Sequence, residues 1–228
     1  MKKIALMTLY NPKKTIIDNI QRIINQVDIL VLCDNSKNDN KEIINQLDNK
    51  KIMYIWFNQN LGLSKAFNKI LKSTFIKWEE EDYIIFFDQD SKIELNHIDK
   101  IIEEFENINK IKNDVGCVGP IYFNLNNNTL MIPKSKERIT KNSYRVKSVI
   151  TSSMVTKYKN LLVVNFFNEN IFLDLVDWDL CWRFINHSMS CYTTSVSIIN
   201  HSLGEGEKKI GPLRFRISQP FRIYYQTR

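Results

Sequence analysis

The sequence predicts an α/β fold, in which a mostly parallel central sheet is flanked by helices. In the first half of the chain, short apolar runs alternate with amphipathic segments, and three of the apolar runs end in polar, turn-forming residues. This alternation is typical of repeated βαβ units, whose parallel strands all point the same way. We therefore expect the three polar turns to meet along one edge of the sheet, where open α/β folds bind their ligands.

The individual elements follow from apolar runs and helical spacing. Apolar runs in the first half predict strands at residues 3–9, 27–33, 52–57, 83–87 and 115–122. Apolar residues at helical spacing predict helices that begin at Asn11-Pro12 and that cover residues 39–47, 61–75 and 97–111. The second half loses this alternation, and predicts strands at 146–151 and 190–199, a helix at 175–185 and an Asn-rich turn at 124–128. No linker or repeat divides the chain, so one domain over residues 1–228 is expected.

Composition narrows the class of protein. With 228 residues, 43% of them hydrophobic and 25% charged, the chain is typical of globular proteins. It has no apolar run of about 20 residues, and Tyr10-Asn11-Pro12 ends the first apolar run too early for a signal peptide, so we expect a cytoplasmic protein. The four cysteines form no C-x-x-C pair, which favours buried free thiols over a disulfide framework or a zinc site.

Basic residues give the chain a net charge of +7 and concentrate at residues 134–147 and from Lys208 to the end. No nucleic-acid recognition motif accompanies the charge, so no nucleic-acid partner is expected. The segment 214–228 interleaves arginines with aromatic residues, which predicts peripheral contact with an anionic membrane surface, for example at the inner face of the plasma membrane. A core strand or an oligomer contact is the alternative for this segment, and the sequence does not predict an oligomeric state.

Two acidic clusters carry the candidate chemistry. The apolar run 83–87 stops at Asp88-Gln89-Asp90, and paired carboxylates at a strand end suit a hard divalent cation and, through it, a diphosphate. The second cluster is Asp174-x-x-Asp177-x-Asp179, where Asp179 and Arg183 have the spacing of a helical ion pair. Asp177, near the predicted helix start, suits a general base on a hydroxyl. An acidic turn and a capped helix are the structural alternatives.

Two further polar turns fit a nucleotide. Asp34-Asn35-Ser36 follows a strand, where a carboxylate can accept the ring N–H of uracil or thymine, although these are also common turn residues. Asn60 and Asn68 flank a strand-to-helix turn in which Gly62 permits close backbone approach and the helix N-terminus favours an anion.

Taken in order, these motifs resemble the inverting nucleotide-sugar glycosyltransferases of family 2, which have a GT-A (Rossmann-like) fold, and within that family the bacterial rhamnosyltransferases. The resemblance covers the whole chain. It is carried by Tyr10-Asn11-Pro12, Asp34-Asn35-Ser36, Asn60-x-Gly62-x-x-x-Ala66-x-Asn68, Phe87-Asp88-Gln89-Asp90-Ser91, Thr151-Ser152-Ser153, Asp174-x-x-Asp177-x-Asp179-x-x-x-Arg183 and His201-Ser-x-Gly204.

The resemblance implies a nucleotide-sugar-binding half at residues 1–123 and an acceptor-binding half at residues 124–228, which has a small antiparallel portion. It implies Asp177 as the catalytic base and a Mg²⁺ or Mn²⁺ site at Asp88, Asp90 and His201. A dTDP- or UDP-sugar donor would contact Thr8, Tyr10, Asn11, Asp34, Asn35, Ser36, Asn60, Gly62, Asn68, Asp88, Gln89 and Arg183. The acceptor, a glycan or lipid-linked glycan of a capsule, O-antigen or cell wall, would contact Ser152, Ser153, Trp178 and Asp179.

The chain departs from the family pattern at two site positions. Ser153 stands where the family often has glycine, which predicts a narrower acceptor pocket, and Val176 stands where broader family members carry glutamate. Similar proteins also usually continue beyond the position of Arg228 into a helical segment. Two other functions are compatible with the fold class. A nucleotidyltransferase normally carries a glycine-rich loop after its first strand, which this chain lacks, and a non-catalytic nucleotide-sugar-binding module has no need for the second acidic cluster.

Overall fold

The computed structural model describes residues 1–47, 49–124, 128–130, 137–201, 208–210 and 213–215, with only the backbone described at Asn124 and from Asn200 onward. The strands are β1 Lys3–Leu9, β2 Ile29–Asp34, β3 Ile52–Trp56, β4 Tyr83–Asp88, β5 Val115–Asn124, β6 Thr129–Leu130, β7 Ser143–Val146, β8 Val155–Lys157, β9 Ser190–His201, β10 Lys208–Ile210 and β11 Leu213–Phe215. The helices are α1 Ile16–Ile24, α2 Lys41–Ile44, α3 Gly62–Leu71, α4 His97–Lys112, α5 Tyr158–Val163 and α6 Val176–Asn186, and a 3₁₀ turn, Asn45–Leu47, follows α2.

A single large sheet organises these elements. Its strand order is β3-β2-β1-β4-β8-β5-β9-β7, with β6 paired to β5. The first four strands in that order are parallel, whereas β8 runs antiparallel to both of its neighbours and β7 runs antiparallel to β9. The parallel half follows the predicted βαβ alternation, and the strands β7 and β8, which run antiparallel to their neighbours, come from the second half of the chain.

Side-chain alternation along the strands explains why helices cover both faces. In β1, Ala5 and Met7 pack on one side in a cluster that includes residues of α1 and α4. Ile4 and Leu6 pack on the other side with residues of α3 and α6, among them Phe67. Strands that are buried on both faces are continuous apolar runs, which is why β1, β2 and β4 could be identified from sequence.

Most predicted elements are confirmed within a few residues, and one is wrong. The strand expected at 146–151 lies instead at Ser143–Val146, paired with β9. Val149, which made the segment strand-like, is buried because it packs over Gly119, where an added Cβ would stand 2.9 Å from the Val149 Cβ. The short β8 and α5 were not predicted. In the part of the chain that the structure describes, no helix has the length and apolar character needed to span a bilayer.

Candidate active site

The polar turns after β2, β3 and β4 were predicted to meet at one sheet edge, and they do follow parallel strands of one sheet, in which β1 lies between β2 and β4. Strand register places Leu9 beside Asp34 and Thr8 beside Asp88. The turns are also joined by hydrogen bonds. The backbone N–H of Tyr10 donates to Oε1 of Gln89 over 2.9 Å, and the N–H of Asn11 donates to Oγ of Ser36 over 2.7 Å. The edge is therefore a continuous polar surface. Tyr10 lies half-exposed on it.

Three carboxyl groups cluster at this edge. Burial, together with the negative charges of Asp90 and Asp177, raises the pKa of Asp88 to about 7. Charges act strongly on a pKa only at short range. The end of β4 and the start of α6, far apart in sequence, therefore contribute carboxylates to one site. Asp90 is exposed to solvent, whereas Asp88 is half-buried.

The surroundings of Asp177 raise the pKa of its carboxyl group. Burial raises its pKa to about 6, and N–H groups of Trp178 and Thr151 oppose that rise by donating to it. The Trp178 bond measures 2.9 Å. At neutral pH the group is mostly ionised yet more basic than an ordinary aspartate, which suits proton abstraction from a hydroxyl.

A turn at residues 151–153 connects the acidic segments. The hydroxyl of Ser152 donates to the Asp88 carboxylate and lies 2.5 Å from the hydroxyl of Ser91, while the N–H of Thr151 donates to Asp177. Ser152 and Ser153 are both fully buried. The structure thus gives both side chains internal bonds, and their contact with an acceptor stays a prediction.

Ser153 occupies the position where the family that the sequence resembles often has glycine, and its backbone conformation favours glycine. Its φ is 67°, in the left-handed region that disfavours side chains. The side chain is held by His97, whose Nε2 lies 2.5 Å from the Ser153 hydroxyl and whose Nδ1 lies 2.6 Å from that of Ser197. Burial and the charge of Lys100 lower the pKa of His97 to about 4, so the ring is neutral. Sequence reasoning missed His97 because a single histidine at a helix start carries no local signal.

Asp34, the expected nucleobase contact, is fully buried. One carboxylate oxygen accepts the N–H of Ser36 over 2.8 Å, and the other accepts Asn40 over 2.9 Å and the hydroxyl of Tyr54 over 2.7 Å. The carboxylate therefore shapes the turn after β2. Its contact with a base stays a prediction.

The turn before α3 is built around Gly62. Its φ is 74°, and an added Cβ would lie 2.3 Å from the carbonyl oxygen of Phe172, so the close approach that glycine permits is to the chain itself. Asn60 accepts the N–H of Gly62 over 3.0 Å, and Asn35 bonds to Leu61 and Gly62 across the edge. The contact with Phe172 holds the loop that leads into α6 against α3, and the asparagine bonds fix the turn before α3.

Two predicted donor-binding residues secure the loop at 164–169. Asn68 is buried and exchanges hydrogen bonds with the backbone of Phe167 over 2.9 and 3.0 Å. Arg183 forms the predicted ion pair with Asp179 at 3.7 Å and donates to the backbone carbonyls of Val164 and Phe166. Their observed bonds are structural, and their direct contact with a donor stays a prediction.

Two parts of the predicted site lie outside the described side chains. The backbone of His201 ends β9, but its proposed metal contact cannot be placed on a described side chain. The basic residues 134–136 and the basic C-terminal segment likewise fall outside the described side chains.

The cysteines form a separate cluster in the core. All four are buried and free, and the sulfur atoms of Cys117, Cys181 and Cys191 lie within 4.8 Å of one another. Thiol sulfur suits soft metals, whereas Mg²⁺ and Mn²⁺ prefer oxygen. The hard-cation site is thus better matched by the carboxyl cluster. A divalent cation fits there because it would offset the cost of ionising Asp88, whose pKa is raised by burial and by the charges of Asp90 and Asp177.

Comparisons with known proteins identify the family and the fold of the chain. The family described as Glycosyl transferase family 2 matches residues 5–160. The chain is 29% identical over 242 residues to the dTDP-rhamnosyl transferase RfbF of Shigella flexneri, which covers 98% of this chain and 77% of that protein. It also resembles the crystal structure of GalNAc-T7 with UDP, GalNAc and Mn²⁺, with a TM-score of 0.68 and 10% sequence identity over 89% of this chain. The chain spans 44% of that larger protein, and this likeness confirms the GT-A fold alone.

Proposed function

The chain belongs to glycosyl transferase family 2 and is a glycosyltransferase, and we propose that it transfers a sugar with inversion from a dTDP- or UDP-linked donor to a hydroxyl of a growing surface glycan. The Shigella relative is a dTDP-rhamnosyl transferase, which favours dTDP-rhamnose as the donor. The observation that carries the proposal is that Asp90 and Asp177 lie near enough to Asp88, at the carboxyl edge of the sheet, for their charges to raise its pKa, which brings candidate metal ligands and a candidate base into one site.

Asp88 and Asp90 are the described residues that would hold Mg²⁺ or Mn²⁺. Magnesium is commonly bound by one or two carboxylates together with substrate phosphates, which fits a nucleotide diphosphate at this edge. When bound, the cation supplies charge stabilisation for the departing diphosphate. The Ser152 hydroxyl donates to Asp88, orients its carboxylate and favours the ionised form that a cation requires.

Asp177 would deprotonate the acceptor hydroxyl as it attacks the anomeric carbon. The N–H donors of Thr151 and Trp178 fix the carboxylate in orientation and keep it ionised at neutral pH. Because the turn at 151–153 bonds to both Asp88 and Asp177, it sets the position of the base relative to the donor. Holding the two reactants in line in this way contributes much of the rate in displacement reactions.

Nucleoside diphosphate release is the direct test. The protein is incubated with dTDP-rhamnose, UDP-glucose or UDP-galactose and a panel of simple glycosides, with Mn²⁺ or with EDTA. We expect release from one donor class that requires the cation, and a product whose anomeric coupling in NMR shows inversion. Retained activity in EDTA contradicts the metal role, and pyrophosphate release from a nucleoside triphosphate and a sugar phosphate indicates a nucleotidyltransferase instead.

Calorimetry separates donor binding from catalysis. Asp90→Ala should abolish the Mn²⁺-dependent part of donor binding, since Asp90 is the exposed ligand of the pair. The matched control is Asp99→Asn, an exposed aspartate on α4 whose only described ion pair is with Lys3. Unchanged metal-dependent binding in Asp90→Ala excludes the proposed ligand role.

We also propose that the basic segment after Lys208 contacts an anionic membrane surface, which would bring a lipid-linked acceptor to a reaction in the cytoplasm. Co-sedimentation with phosphatidylglycerol vesicles, compared with phosphatidylcholine vesicles, tests this. Equal binding to both contradicts it.

A further inference from the structure

Two tryptophans stand exposed on α6, directly after the proposed base. Trp178 is 44% exposed and Trp182 is 52% exposed, and Ile185 continues the same stripe at 38%. The opposite face of α6 is buried in the core through Val176, Leu180, Cys181 and Phe184. The helix is therefore already anchored, and packing within the described chain does not account for two large indoles on its outer face.

The two rings form a continuous surface. They are one helical turn apart, with centroids 6.2 Å from each other and planes tilted by 54°. A separation of this size is comparable to the length of one sugar residue along a glycan chain. Pyranose rings present a face of C–H bonds, and indole is the largest flat apolar surface that a protein can offer to such a face.

The position of the pair relative to the site identifies its occupant. Trp178 directly follows Asp177, and its backbone N–H donates to the Asp177 carboxylate, so the stripe begins at the residue next to the proposed base. The one cation of α6, Arg183, is engaged by Asp179 and by two backbone carbonyls. The helix thus offers no free positive charge to an anionic lipid surface, which favours an uncharged sugar chain.

We propose that Trp178 and Trp182 form a two-residue acceptor platform, on which the terminal sugar of the acceptor stacks against Trp178 and the preceding sugar stacks against Trp182. The enzyme would therefore recognise a glycan of at least two sugars and discriminate against a single sugar. This inference rests on the proposed function, because it assumes that Asp177 is the base and that the acceptor is a glycan.

Fluorine NMR of 5-fluorotryptophan-labelled protein tests the platform without requiring turnover. The probes are methyl glycosides of glucose, galactose, rhamnose and N-acetylglucosamine, each as a monosaccharide and as the corresponding disaccharide, with donor nucleotide and Mn²⁺ present. We expect at least one disaccharide to shift the signals of both Trp178 and Trp182, and its monosaccharide to shift Trp178 alone. Trp78, stacked on Tyr158 at 4.9 Å, is an internal control that should not move. Disaccharides that leave the Trp182 signal unchanged overturn the proposal.

Substitutions give an independent measure of how much Trp182 contributes to glycan binding. Trp182→Ala should weaken disaccharide binding by about tenfold, the effect expected for loss of one stacked ring, and leave monosaccharide binding unchanged. Phe75→Ala, which removes an aromatic side chain that is 67% exposed outside the site, is the matched control. Equal losses for both probes, or a loss of phosphatidylglycerol vesicle binding in place of glycan binding, overturn the platform.

The two proposals fail in distinguishable ways. Normal nucleoside diphosphate release with no indole response removes the platform and leaves the glycosyltransferase proposal intact. Indole shifts from disaccharides in a protein that never releases nucleoside diphosphate remove the proposed donors and reaction, and leave a glycan-binding surface.

Discussion

Replacing Asp88 by asparagine should make the metal-free protein more stable. Burial and the neighbouring charges of Asp90 and Asp177 raise the pKa of Asp88 from 3.8 to about 7, which means that the folded protein resists its ionisation. A shift of about three pKa units corresponds to a ceiling of about 4 kcal/mol. Since the side chain is half-buried and water screens part of the repulsion, we expect a gain of about 2 kcal/mol in the free energy of unfolding at pH 8.

The pH dependence has a definite sign. Between pH 4 and 7 the folded wild type keeps a proton on Asp88 that the unfolded chain has lost, so the wild type loses stability as the pH rises through this window. The variant has no such titration. The stability gap should therefore be complete above pH 7 and should close as the pH falls toward 4.

Urea unfolding of EDTA-treated protein at pH 8 and pH 4.5 measures this gap, with Asp99→Asn as the control for loss of a surface carboxylate. Addition of Mn²⁺ should reverse the order, because only the wild type gains binding free energy from the ion. If Asp88→Asn is less stable than the wild type at pH 8 without metal, or if the gap is the same at both pH values, the reasoning about the carboxyl cluster is wrong.

Three further substitutions test other parts of the site. Asp177→Asn should reduce kcat by about 10²–10⁴-fold, while the control Asp99→Asn leaves kcat unchanged. In the wild type, kcat should rise with pH to a plateau, with a midpoint near pH 6, because the base must be ionised. Full activity of Asp177→Asn excludes Asp177 as the base. Ser153→Gly relieves about 1 kcal/mol of left-handed strain but removes the partner of the buried His97 ring, a loss of about 1–3 kcal/mol, so urea unfolding should show a net loss of about 1 kcal/mol; a gain contradicts the importance of that bond. Gly62→Ala places a Cβ 2.3 Å from a backbone carbonyl oxygen at positive φ and should lower stability by more than about 2 kcal/mol, which an unchanged melting temperature would refute.

The sequence predicted the parallel half of the fold because its strands are buried on both faces. Apolar runs such as 83–87 have little ambiguity when they end in turn residues, and parallel strands must bring their ends to a common edge. The strand expected at 146–151 was wrong because burial alone produces the same apolar pattern as a strand. Val149 is apolar because it packs over Gly119, and a run of apolar residues does not distinguish packing on a sheet from pairing within it.

The acidic positions of the candidate site were predictable, but its supporting bonds were not. Asp88 and Asp177 were identified because their residue types and positions suit a chemical role. The turn that joins them contributes a hydroxyl from Ser152 and a backbone N–H from Thr151, and neither signals its target in sequence. Likewise, Asp34 stood out as a free acceptor, although its oxygens are shared among Ser36, Asn40 and Tyr54.

The carboxyl cluster argues for a ligand on energetic grounds alone. Asp88 and Asp177 both have pKa values raised mainly by burial, and the repulsion from Asp90 and Asp177 adds to that effect at Asp88. A fold selected for stability alone has no need to bury an aspartate near two other carboxylates when asparagine would avoid the charge. A bound cation would offset this repulsion, and under the proposed function the same proximity would place the donor near the base. Measuring the stability of Asp88→Asn with and without Mn²⁺ therefore tests the fold and the proposed chemistry with a single substitution.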